Sequence, residues 1–116
     1  MTQVIEPEQM DLLVSAVRDG KIVAFPTETV YGVACLFDDL KGLDRIMEIK
    51  KRNPNKAVTL MLSKKDDVKK YGLVDEGTQR VIDKFMPGRM TIVLKRLDSV
   101  DSRHVSGKDT IGIRIP

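Results

Sequence analysis

The stretch KIVAFPTETVYG, residues 21–32, changes character halfway along. Residues 21–25 have the branched, apolar content of a strand, and Pro26 ends the run. Thr27, Glu28, Thr29, Val30 and Tyr31 follow, closed by Gly32. A solvated turn would look like this. So would a strand that delivers hydroxyls, a carboxylate and a phenol to a ligand. Thr27, Thr29 and Tyr31 alternate, so an extended backbone would point all three the same way.

The flanks set the fold class. Upstream, residues 7–19 read as an amphipathic helix with Pro7 in the first position and Met10, Leu13, Val14 and Val17 at helical spacing. Gly20 supplies its stop. Downstream, 33–37 is a second short strand, and Asp38 or Asp39 caps a helix over 40–50. Leu40, Leu43, Ile46 and Met47 share one face of it. Asn53–Pro54 cannot continue that helix.

Residues 58–62 (VTLML) form a continuous apolar run, expected as a buried strand. Ser63 is placed to cap a short helix ending at Tyr71 and Gly72. A further helix spans 75–86, with Thr78, Val81, Ile82 and Phe85 expected inside. Pro87 and Gly88 break it. A strand follows over 90–95, then a polar loop over 98–109 and a last strand over 110–115. Helices alternating with strands predict an α/β (α+β) class, with helices covering a sheet, in a single domain over 1–116.

Bulk properties narrow the function. The 116 residues are 41% hydrophobic and 32% charged, which argues against disorder. No apolar run approaches a membrane span and the N-terminus lacks the pattern of a signal peptide, so the expected compartment is the cytoplasm. Cys35 and His104 are the single cysteine and histidine, which excludes an intrachain disulfide and a zinc site of Cys and His ligands. Cys35, between Ala34 and Leu36, reads as a packing thiol, and His104 as an exposed loop residue. The net charge of +3 is mild for a dedicated nucleic-acid binder.

Three stretches end elements and carry the polar chemistry: PTETVYG (26–32), IKKRNPNK (49–56) and MPGRMT (86–91). Open α/β sheets place ligands at such ends. Lys50 and Arg52 either offset a helix dipole or face a phosphate, where a fork of donors and a point charge would stabilise a transferring phosphoryl group. No Walker A loop and no GxGxxG is present, so side chains would have to hold a nucleotide.

In this order, PTETVYG, IKKR, PGRMTIVL and TIGIRIP resemble the YrdC-like domain of threonylcarbamoyl-AMP synthase, from about Gly20 to Pro116. The resemblance implies a twisted, mixed α/β sheet around a concave, positively charged surface. It also implies synthesis of threonylcarbamoyl-AMP from L-threonine, bicarbonate and ATP with release of pyrophosphate, usually with magnesium. The product serves the threonylcarbamoyladenosine modification of tRNA.

Carried over, Thr27 and Tyr31 match positions lining the threonine pocket, and Lys50 and Arg52 match the basic pair. Thr91 and Arg114 match substrate-binding positions near the pocket. The alternative within the same fold is a non-catalytic double-stranded RNA- or nucleotide-binding module.

The family's Ser and Asn motif falls beyond Pro116, so the C-terminal part is expected to be missing and this short chain to lack turnover. The strand 110–115, with Ile111, Ile113 and Ile115 on one face, is expected to leave a free edge. Self-association through that C-terminal strand would follow.

Overall fold

The computed structural model describes residues 3–26, 31–50 and 58–116, and of Tyr31 the backbone alone. The chain divides into two compact units, Met1–Arg52 and Asn53–Pro116.

In the first unit, helix α1 (Met10–Arg18) starts later than Pro7, which lies in a turn. The reason is local. The Glu6 N–H donates to Oε1 of Gln9 at 2.9 Å, which fixes the entry turn before the helix begins. Gly20 ends the element with φ +83°, a conformation that suits glycine. Strands β1 (Val23–Pro26) and β2 (Tyr31–Ala34) then pair antiparallel, with Phe25 opposite Gly32 and Pro26 opposite Tyr31. Tyr31 thus belongs to a strand, where the sequence suggested the end of a loop. Residues 27–30, which join the two strands, lie outside the described residues.

Helix α2 (Leu40–Ile49) is capped as expected: the Gly42 N–H donates to Oδ1 of Asp39 at 2.9 Å. Ile46 is the buried anchor of its inner face. Lys50 ends the helix, its N–H donating to the carbonyl of Ile46 at 3.0 Å. The Asn53–Pro54 break lies outside the described residues.

The second unit holds most of the core. Its sheet runs β3-β5-β4, from β3 (Leu60–Met61), β5 (Thr110–Arg114) and β4 (Thr91–Lys95). β3 pairs parallel to β5 and β4 antiparallel to it, so the sheet is mixed. The free C-terminal edge expected from the sequence is therefore filled. Strand β5 is central, paired on both sides, and Ile111, Ile113 and Ile115 are all buried. The sequence could not show this, because the parallel partner lies some fifty residues upstream. With both edges paired and its isoleucines buried, β5 presents no free edge for a second chain to pair with.

Between β3 and β4 the chain makes a 3-10 helix, Lys65–Lys70, and α3 (Glu76–Phe85). Ser63 does not cap the first; Lys64 precedes it with no side-chain cap. Asp75 caps α3, accepting from the Thr78 N–H at 2.7 Å. Ile82 and Met86 face inward, four residues apart, whereas Phe85 is 53% exposed with Lys84 Nζ 5.5 Å from its ring centroid. Of the expected inner residues, Ile82 is buried and Thr78 half-buried, whereas Val81 joins Phe85 on the exposed side.

After α3, the Met86–Pro87 peptide is cis, and the Gly88 N–H donates to the carbonyl of Ile115 at 2.8 Å. This contact ties the PGRM turn to the last strand. Beyond β4, Gly72 bridges Arg96, and a Cβ on Gly72 would come within 2.9 Å of Leu94 Cδ1, so the crossing requires glycine. The segment expected as a polar loop also buries Val100 and Val105, the latter in a 3-10 turn (Ser102–Val105) capped by Asp101. The Arg103 guanidinium bonded to Asp101 holds that carboxyl down to about 2. His104, in the same turn, is half-buried rather than exposed.

Candidate functional site

Strand alternation gives the three-stranded sheet two unlike faces. Ile92 opposite Ile113 and Leu94 opposite Ile111 make the inner one. On the outer face, Thr91 lies opposite Arg114 and Val93 opposite Gly112, while Met61 flanks Arg114 from the other side. The row Met61, Arg114, Thr91 therefore crosses all three strands. Main-chain bonds fix it: the Leu62 N–H donates to the Arg114 carbonyl at 3.0 Å, continuing the parallel ladder past β3.

Two of the residues expected to bind substrate, Thr91 and Arg114, are thus direct cross-strand neighbours. They come from motifs more than twenty positions apart, brought together by the antiparallel register. Thr91 is exposed and Arg114 half-buried, so a hydroxyl and a guanidinium sit on one accessible surface. A planar fork of donors in that setting suits a carboxylate or a phosphate oxygen.

Of the others, Lys50 is exposed at the end of α2, in the first unit. There its charge offsets the helix dipole whatever else it contacts. The side chain of Tyr31 is outside the described residues, as are Thr27 and Arg52. Thr59, Met61 and Gly112 belong to the outer face and were missed. The only signal for them was the parallel pairing of β3 with β5, which a single sequence does not display. Among the described residues, no three His, Cys, Asp or Glu side chains gather as metal ligands.

Cys35 fits its reading as a packing thiol. It is half-buried, its Sγ donates weakly to the Asp39 carbonyl at 3.9 Å, and burial together with the Asp39 carboxylate pushes its pKa up. A raised pKa disfavours the thiolate needed for nucleophilic attack. No helix among the described residues is long and apolar enough to cross a membrane.

The described residues thus form a mixed α/β fold in which Thr91 and Arg114 are neighbours on one accessible sheet face. The chain belongs to the Sua5/YciO/YrdC family, whose model, described as telomere recombination, matches residues 15–116. It is 35% identical over 107 residues to a Methanocaldococcus jannaschii protein provisionally named threonylcarbamoyl-AMP synthase, covering 92% of this chain and 51% of that one. The fold is similar to Pyrococcus abyssi Sua5 complexed with L-threonine, with TM-score 0.85 and 29% identity over 98% of this chain and 34% of Sua5. Escherichia coli YciO is similar at TM-score 0.87 and 27% identity, over all of this chain and 60% of YciO. The chain spans about half the length of the M. jannaschii relative and a third of Sua5.

Proposed function

We propose that this chain carries a threonylcarbamoyl-AMP synthase-type site. Such a site joins L-threonine, bicarbonate and ATP and releases pyrophosphate, for the threonylcarbamoyladenosine modification of tRNA. The observation that carries the reading is the Thr91–Arg114 pair on the outer sheet face, in a fold shared with a Sua5 structure that holds L-threonine. Hydroxyls at Thr27, Tyr31 and Thr91 suit a small polar amino acid. Lys50 and Arg52 suit the phosphates of ATP, where two cations would offset charge on the departing pyrophosphate. Magnesium would accompany the nucleotide, bridging its phosphate oxygens and offsetting their charge.

The competing reading is a double-stranded RNA-binding module, and it makes a different measurement move. ATP titrated calorimetrically into the chain is expected to give saturable binding. A salt series with duplex RNA is expected to show weak binding at all ionic strengths. Tight RNA binding that collapses as salt rises, with no heat from ATP, would replace the synthase reading by the RNA module.

A further inference from the structure

Two helices each turn an apolar pair outward. In α1, Leu13 and Val17 are half-buried, whereas Met10 is 56% and Val14 37% exposed. In α3, Ile82 is buried, whereas Val81 is 37% and Phe85 53% exposed. Both exposed pairs are four residues apart, so each forms a ridge of the kind that packs into the groove of another helix. Contiguous exposed apolar residues with a charged border mark contact surfaces.

The borders of the two ridges carry opposite charge. Beside Met10 and Val14 lies Asp11, and Glu6 and Glu8 lead into the helix, all three exposed. Residues 3–17 contain no lysine or arginine, and Arg18 stands a turn beyond Val14. At about 100° per residue, the exposed border of Val81 and Phe85 is Lys84 and then Arg80, while Glu76 and Asp83 fall on the opposite side. Two contacts keep the sign of that border. Lys84 Nζ stands 5.5 Å from the Phe85 ring centroid, and Gln79 Nε2 donates to the Asp83 carboxylate at 2.9 Å.

We propose that the α1 ridge of one chain docks on the α3 ridge of a second copy. Met10 and Val14 pack beside Val81 and Phe85, with Glu8 and Asp11 against Arg80 and Lys84. The two surfaces differ, so the contact is heterologous, and every copy offers one of each. Ridges of this size make a small interface, so the association is weak, half complete between about 10 μM and 1 mM. The proposal does not depend on the synthase-type reading.

Sedimentation equilibrium over that range tests it on wild type, Asp11→Lys, Lys84→Glu and an equimolar mixture of the two variants, with a thermal melt of each. Wild type should exceed the single-chain mass as concentration rises, and less so as NaCl goes from about 50 to about 500 mM. Each variant alone should associate about tenfold or more weakly. The mixture should regain mass, because the Lys84→Glu chain keeps the acidic α1 ridge and the Asp11→Lys chain keeps the basic α3 ridge. If either variant melts early, Met10→Ala and Phe85→Ala take their place, since both residues are exposed and the same loss and recovery are expected.

Wild type at the single-chain mass throughout overturns the proposal. Association that neither variant weakens overturns it by placing the contact on another face. Loss without recovery in the mixture does so too, since the two ridges would then not be partners. Association that strengthens as salt rises would leave the charges no part in it and overturns the pairing.

Discussion

Replacing Ile113 by alanine is expected to cost this chain about 2–5 kcal/mol of folding stability. Ile113 is 0% exposed and sits in the middle of β5, opposite Leu60 on one side and Ile92 on the other. The substitution removes apolar surface that water never reaches and leaves a cavity between two strands that cannot both close in. Most of the chain's buried apolar side chains lie in the same unit, so the loss falls on the part that holds the fold together. Leu73→Ala is the matched comparison, since Leu73 is 57% exposed and its truncation should stay within about 0.5 kcal/mol. Urea unfolding of both variants checks the expectation. Equal midpoints would mean that the β3-β5-β4 sheet is not the core of the folded chain.

The second large effect is on binding. Arg52→Ala is expected to weaken ATP by about 1.5–3 kcal/mol, typical for hydrogen bonds to a charged group and roughly 10- to 150-fold in affinity. Arg52→Lys should recover only part of it, because an ammonium keeps the charge and loses the planar fork. Lys50 tests the blander account of the same cluster. It ends α2, so if its charge serves only the helix dipole, Lys50→Ala should lower stability by about 0.3–1 kcal/mol and leave ATP affinity alone. Two cations acting on phosphate should instead both report in the titration. An Arg52→Ala variant that stays folded and binds ATP like wild type would remove the basic pair from the site.

Local chemistry was the legible part of this molecule. The Asp39 cap of α2 and the extents of α3, β4 and β5 could be read nearly to the residue, because caps, turn formers and periodicity act over a few positions. Pairing was harder to read. Nothing in 58–62 announces that Leu60 lies beside Ile113, so β5 looked like an edge when it is the centre. The inner face of α3 turned on Met86, a residue past the helix end that the periodicity did not weigh.

The candidate site divides the same way. Thr91 and Arg114 could be picked out by motif, and only the antiparallel register shows them to be neighbours. Thr59 and Gly112 carry no motif of their own and become visible through the sheet they share.

If Thr91 and Arg114 meet the substrate, amide chemical shifts report it residue by residue. In a nitrogen-labelled chain titrated with L-threonine, the largest shift changes are predicted at Thr91 and Arg114 and their cross-strand neighbours. A following titration with ATP should move residues 50–52. Shift changes that gather instead around Leu73 and residues 95–98, or none at saturating ligand, would remove Thr91 and Arg114 from the site.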